Sequence, residues 1–298
     1  MHFRKLELAD RDKYESRIVH HEFNTYEYTF LTLYLWREMC RVELSALDGA
    51  IIVRKSDPRG RLYFMQPLGY APEDLRDIVR RLKEYKESQI GFGSLFGDIE
   101  APFLRELQAV FGDRVVYRED PDNFDYIYDA QQLITLRGRK YHGKRNQYNR
   151  FTGGYGYEVR ELREPGVCAD AIRFAGEWYE TRGEGDASLA LELKGIKDVL
   201  THIDALPIVG FAVYVGQRMA GFTFGETVGS RMAIVHVEKG DLAYDGIYAF
   251  LNRTMAERYF SGVRYINRQE DLGIQGLRKA KMDYNPVRFE RKYIIDIV

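Results

Sequence analysis

Apolar positions along this chain recur at two spacings, and stretches of each spacing alternate. Phe30, Leu33, Tyr34 and Met39 fall at helical intervals around Trp36 and predict a helix over 28–40. VELSALDGAIIVR then reads as two strands turning at Asp48-Gly49, a dipeptide whose two positions tolerate positive φ. RLYFMQPLG is a third strand. EDLRDIVRRLKEYKES returns to helical spacing, with Leu75, Ile78, Val79, Leu82 and Tyr85 on one face. IGFGSLF, APFLRELQAVFG and DRVVYRED follow as strand, helix and strand.

The second half has the same rhythm. YGYEVREL reads as a strand, AIRFAGEWYETR and SLALELKGIKDVLTHI as helices. PIVGFAVYVGQRMAGFTFGETVGSRMAIVHVEK supplies three strands with turns at Gly216-Gln217 and Gly229-Ser230. Ile247, Phe250, Leu251, Met255 and Tyr259 make the buried stripe of a helix in IYAFLNRTMAERYF. VRYIN, GIQGLRKAKMDY and VRFERKYIIDI close the chain as strand, helix and strand. Each half runs through helices, an antiparallel meander, and then strand, helix, strand, helix, strand. The expectation is an α/β chain with α+β mixed sheets in two domains, 1–135 and 136–298, with no Pro-rich or low-complexity linker between them.

Composition narrows the function classes. With 298 residues, 45% hydrophobic, the chain can bury two cores of ordinary size. A net charge of -1 argues against a general nucleic-acid binder and leaves local basic clusters open. Cys40 and Cys168 lie far apart without metal-ligand spacing, which reads as two free thiols in a reducing compartment. The opening MHFRKLELADRD is too charged for a secretory signal, and YTFLTLYLWREMC is too short to span a bilayer. A cytoplasmic protein without stable membrane insertion is expected. No HExxH, GxSxG or Walker-type spacing occurs, and no metal site is assigned. His20-His21 reads as surface, and His236 as either a core histidine or a site residue.

Three stretches can carry chemistry. In HVEKGDLAYDGIYAFLN a strand ends in a charged loop and a helix starts at about Gly246 or Ile247. Its unpaired N–H groups and partial positive charge suit a phosphate or carboxylate. The bland alternative is that Asp245 merely caps that helix. In INRQEDLGIQGLRKAKMDYNP a strand delivers Asn267, Arg268, Glu270 and Asp271 to a sheet end. Asp271 also reads as an N-cap, and Arg278, Lys279 and Lys281 as a solvated basic face. The third, LRGRKYHGKRNQYNRF, holds six cations and no acid, interleaved with Tyr141, Tyr148 and Phe151. It suits a polyanionic ligand or a helix packed between domains.

KYHGKRNQYNRF, HVEKGDLAYDGIYAFLN and INRQEDLGIQGLRKAKMDYNP, in this order, resemble the family that includes the C-terminal domain of bacterial phosphatidylglycerol lysyltransferases. That family is similar to tandem GNAT-like transferases, including the Fem peptidyltransferases. The resemblance implies two tandem GNAT-like (acyl-CoA N-acyltransferase-like) domains, with the active site in the second. It implies an acyltransferase, with aminoacyl-tRNA or acyl-CoA as co-substrate and a small-molecule or peptide amine or hydroxyl as acceptor. A non-catalytic ligand-binding protein on the same fold is the alternative. The resemblance carries over the motif positions and no catalytic assignment; for such a transfer Glu238 and Glu270 are the candidates for base or amine-binding carboxylate. Lys239, Arg268, Lys279 and Lys281 would hold phosphate or the charged acyl end. Gly246 and Ile247 would offer backbone N–H groups, with Asp245, Tyr248, Asn267 and Asp271 around the ligand. Lys144, Arg145 and Asn146 would contact the tRNA acceptor end. The two closely spaced glycines of the usual acetyl-CoA loop are replaced here by aspartates.

Overall fold

The computed structural model describes residues 1–19, 21–181 and 187–298. His20 and the expected helix end at Arg182 lie outside them. The chain forms two compact units, one of Met1–Phe124 with Glu290–Val298, the other of Asp125–Phe289.

In the first unit the elements are β1 (Arg4–Lys5), α1 (Arg11–Ile18), α2 (Phe30–Trp36), β2 (Glu43–Leu47), β3 (Ala50–Ser56), β4 (Leu62–Phe64), α3 (Leu75–Glu87), β5 (Phe92–Ile99), α4 (Ala101–Phe111) and β6 (Val115–Glu119). The second continues with β7 (Asp125–Asp129), α5 (Ala130–Thr135), α6 (His142–Gly154), β8 (Tyr157–Glu161), α7 (Val167–Glu180), α8 (Ala187–Thr201), β9 (Val209–Val215), β10 (Arg218–Val228), β11 (Met232–Gly240), α9 (Ile247–Tyr259), β12 (Tyr265–Asn267), α10 (Gln275–Met282) and β13 (Arg288–Glu290). The last strand is β14 (Tyr293–Ile297).

Each sheet has seven strands and is mixed. The first is ordered β1-β2-β3-β4-β5-β14-β6, the second β13-β7-β12-β11-β10-β9-β8. Most of the strand pairs are antiparallel, whereas β4 with β5 and β11 with β12 run parallel. The hairpin at Asp48-Gly49 forms as its chemistry requires, both residues having positive φ. Leu75, Ile78, Val79 and Leu82 bury the α3 stripe against Phe64 and Phe96.

The structure departs from the sequence reading at the domain ends. DYIYD, to which the pattern assigned nothing, is β7 and pairs with β12, so the second unit starts at Asp125 rather than at 136. The single closing strand is two. β13 joins the second sheet, and β14 returns to the first between β5 and β6. Lys292, buried at the break, places its ammonium 2.9 Å from Glu27 Oε1 and anchors β14 in the first unit. The first aromatic helix is also shorter than 28–40, because Thr29 caps it by accepting the Thr32 N–H.

In the second unit the two sheet faces carry different helices. Gly221 and Gly240 turn toward α9, where added Cβ atoms would meet Leu251 and Ile247. Their neighbours Phe222 and Lys239 point the other way, Phe222 edge-on to Phe174 of α7. Tyr148 of α6 stacks on Phe250 of α9 and Phe151 meets the same ring tilted, which explains the aromatics among the cations of the 136–151 stretch.

Candidate functional site

The parallel pair β11/β12 is short. Only Met232–Ile234 of β11 are in register with Tyr265–Asn267, whereas β11 continues to Gly240. Its pairing with β10 shifts register between Phe224 and Gly225, opposite Val237 and Val235, so a bulge forms at His236. Beyond it the strands part, and the side chains that follow converge on the split.

Glu238 from β11 and Arg268, just after β12, form an ion pair, Nη2 to Oε1 3.2 Å, each with side chain only 12% exposed. Asn252 of α9 completes it. With its carboxamide oxygen turned toward Arg268 it accepts from Nη1 at 3.1 Å and Nε at 3.0 Å. The amide nitrogen then serves Glu238, whose buried Oε2 otherwise lacks a partner. Arg268 also lies over the rings of Tyr284 at 4.9 Å and Tyr128 at 5.7 Å. Lys144 of α6 reaches the same place, 4.4 Å above the Tyr284 ring and 3.8 Å from Asp283.

The charges perturb one another. Burial pushes the Glu238 carboxyl up, opposed by Arg268, Asn252, Lys281 and Lys144. Burial pulls the Lys144 ammonium down, and nearby Arg268 adds to that while Asp283 and Glu238 resist it. A carboxylate disposed to take a proton thus sits beside two cations in a poorly solvated place, a combination typical of functional sites.

The turn carrying Arg268 is strained. Gln269 and Leu272 have φ of 59° and 53°, and Gly273 72°. Asn267, Asp271 and Lys281, all singled out in the sequence, account for its persistence. Buried Asn267 accepts the Gln269 N–H at 2.7 Å and donates to Asp125 at 2.7 Å. Asp271 accepts from Gly273 N–H, from both Nε and Nη2 of Arg278 at 2.8 Å, and from the Tyr126 hydroxyl. Burial would raise the Asp271 carboxyl, but Arg278 and Tyr126 hold it at about 2. Lys281, the one buried side chain of α10, donates to the Arg268 carbonyl at 2.6 Å, the Gln269 carbonyl at 3.1 Å and the Glu270 carbonyl. Burial pulls its ammonium down to about 8. His236, buried, bridges Glu226 (2.9 Å) and the Gln269 carboxamide (3.4 Å), so the core reading of this histidine and its nearness to the site are both met. Asp271 is not the N-cap of α10; Ile274 is, one residue before Gln275.

The remaining residues fall elsewhere. Strand alternation sends Lys239 to the opposite face, where its ammonium is 3.0 Å from Glu192, 4.1 Å from the Trp178 ring and 4.7 Å from that of Tyr179. Gly246 is the N-cap of α9 at φ 87°, without a side-chain cap. A Cβ there would come within 2.0 Å of the Gln147 carbonyl, so the close approach of α6 itself demands this glycine. Asp245 pairs with Arg150 at 3.1 Å rather than capping the helix. The Ile247 N–H is taken by the Tyr244 carbonyl at 3.1 Å, and the Tyr248 hydroxyl donates to Gly240 at 3.2 Å. Arg145 caps the carbonyls of Leu136 and Gly138, and Asn146 lies 3.4 Å from His142. Glu270 is half-buried on the strained turn, and Lys279 is exposed on α10.

Sequence reading singled out neither Asn252 nor Tyr284 nor Glu226. A polar residue inside the apolar stripe of α9, beside Leu251 and one turn before Met255, was the available signal for Asn252. Nothing local marked the other two.

A family model described as "Phosphatidylglycerol lysyltransferase, C-terminal" matches residues 20–296. A conserved protein of unknown function from Bacteroides thetaiotaomicron VPI-5482 is 29% identical, with 99% of each chain covered and a TM-score of 0.87. The L-PGS structure from Bacillus licheniformis shares 16% identity over 97% of this chain and 92% of its own, with a TM-score of 0.64. FemX shares 11% identity over 100% and 98%, with a TM-score of 0.59. The two mixed-sheet units have the fold of tandem GNAT-like and Fem-type proteins.

Proposed function

The chain belongs to the phosphatidylglycerol lysyltransferase C-terminal family, and from that premise we propose that it transfers an aminoacyl group from aminoacyl-tRNA to an amine or hydroxyl acceptor. The observation that carries this reading is the buried Glu238–Arg268–Asn252 group, with Lys144 beside it, at the parting of β11 and β12.

The reaction needs little covalent help. The acceptor nitrogen or oxygen attacks the ester carbonyl carbon, and the bond from that carbon to the ribose oxygen of the terminal nucleotide breaks. A proton leaves the attacking atom and another reaches the departing ribose oxygen. Glu238, raised by burial, is suited to take the first proton. Arg268 and Lys144 would stabilise the developing oxyanion or the terminal phosphate, and such preorganised charge acts strongly where water is scarce. Asn252 fixes the planes of both Glu238 and Arg268. Glu270, on the turn just after Arg268, would receive the α-amine of the transferred residue. The reducing cytoplasm, where charged tRNA is made, is the compartment this reading requires.

The test is a transfer assay with a pool of tRNA charged with labelled amino acids, the intact protein and a cell extract as acceptor source. Label should pass from tRNA to a new product, and Glu238→Gln should slow that by about 100-fold or more. Consumption of acyl-CoA with charged tRNA untouched would transfer the protein to the CoA-dependent class. Binding of charged tRNA with no product under any condition would make it a binding protein.

A further inference from the structure

The edges of the first sheet are β1 and β6, and those of the second are β13 and β8. An edge strand presents N–H and carbonyl groups that another strand can take, so folds keep their edges short or block them. β1 has two residues and β13 three. β8 is blocked by its own turn: the Glu164 side chain accepts the Glu161 N–H at 2.8 Å, and the Glu164 N–H goes to the Glu161 carbonyl. β6 has neither protection. Positions 116–119 are all exposed, Val116 at 52% and Tyr117 at 49%.

The ladder fixes which backbone groups of β6 face outward. Val298 donates its N–H to the Arg114 carbonyl at 2.9 Å, and the same register continues with Val116 opposite Asp296 and Arg118 opposite Ile294. Arg114, Val116 and Arg118 therefore bond to β14, while Val115, Tyr117 and Glu119 turn their backbone groups away from it. The Val115 N–H closes on the Gly112 carbonyl. The Val115 carbonyl and both backbone groups of Tyr117 and Glu119 have no partner among the described residues. Opposite charges stand at the two ends. Arg114 is exposed and lies over the Phe111 ring. Asp120, still in extended backbone, accepts from the Asp122 N–H at 3.3 Å and the Asn123 carboxamide at 2.9 Å rather than from a cation.

We propose that β6 pairs antiparallel with β6 of a second copy of this chain, about a two-fold axis at Tyr117. In that register the two Tyr117 residues exchange N–H and carbonyl, and each Glu119 N–H donates to the Val115 carbonyl of the other copy. The Tyr117 rings become a cross-strand aromatic pair, and the Arg118 stem lies along Val116 opposite it. Arg114 meets Asp120 at both ends. The other axes through β6 fail. Those at Val116, Arg118 and Glu119 set like charges opposite one another: Arg114 on Arg118, Arg118 on itself, and Glu119 on itself. An axis at Val115 needs the N–H that Gly112 holds. The contact is one strand wide, smaller than a standard interface, so the dimer is reversible, with a dissociation constant of about 10–100 μM. The inference does not depend on which reaction the second unit performs.

The test is sedimentation equilibrium of the intact protein up to about 200 μM, where a monomer–dimer equilibrium is expected. Tyr117→Pro removes an N–H that β14 does not use, at an edge where proline is tolerated. It should keep a cooperative thermal transition and raise the dissociation constant about tenfold or more. Arg114→Asp and Asp120→Arg should each do the same, because like charges then meet at both ends. Mixed in equal amounts, those two variants present opposite charges at both ends again and should dimerise to within about threefold of the unaltered protein. A monomer at every concentration overturns the proposal. So does a dimer that Tyr117→Pro leaves intact, or a mixture that associates no better than either variant alone.

Discussion

Lys281→Met separates a structural lysine from a ligand-binding one. The ammonium is shared among the Arg268, Gln269 and Glu270 carbonyls, and methionine matches the length of the stem while supplying no donor. The Gln269 carbonyl keeps the Tyr126 N–H at 3.2 Å, so the loss falls mainly on the other two. At about 1–3 kcal/mol for each buried acceptor deprived of its donor, the cost is roughly 2–6 kcal/mol. Urea unfolding at neutral pH measures it, and hydrogen exchange at the amides of 266–273 should show faster opening of the turn. The pH dependence follows from the ammonium being pulled down to about 8 from 10.5. Between those values the unfolded chain binds more protons than the folded one, so this group's contribution to stability rises with pH across that window, by at most about 3 kcal/mol. The methionine variant lacks that rise. A change under about 1 kcal/mol, with exchange unaltered, would refute the staple and return Lys281 to the ligand-binding role that its sequence position suggested.

Arg268→Met and Glu238→Gln should each cost about 3–5 kcal/mol by leaving a buried partner unmatched, and the double variant should cost clearly less than their sum. Additive losses in denaturant titrations would mean that the pair is not coupled. Gly246→Ala combines a left-handed backbone with a Cβ placed 2.0 Å from the Gln147 carbonyl, and should lower stability by about 2 kcal/mol or more while displacing α6. An unchanged melting temperature would refute that packing. Asp271, held at about 2 against 3.8, contributes stability that is present above about 4 and lost as pH falls toward 2. Acid titration of wild type against Asp271→Asn should show on the order of 1–2 kcal/mol of that loss missing in the variant.

Much of the fold was legible because periodicity is a local property. Leu75, Ile78, Val79 and Leu82 announce α3, and Asp48-Gly49 and Gly216 announce their turns, wherever the elements later pack. DYIYD was not legible as a strand, because it is a central strand of five residues with no hairpin partner nearby in sequence. The destination of VRFERKYIIDI was hidden for the same reason: strand propensity does not say which sheet will take it. Within the site, sequence placed Glu238 and Arg268 at the ends of two strands. It could not foresee that a bulge at His236 would turn Glu238 toward Asn252 while Lys239, one residue on, faced Trp178.

By itself, then, the sequence determined most of the elements, the start of α9 at Gly246–Ile247 and the set of charged residues near the strand ends. Tertiary structure decided which of those charges meet. It assigned Asn267, Asp271 and Lys281 to holding a strained turn, Lys239 to the far face, and Glu238, Arg268 and Lys144 to one buried group. The reason is that a side chain's partners and its desolvation depend on residues far away in the chain, whereas helix and strand periods depend on the nearest few.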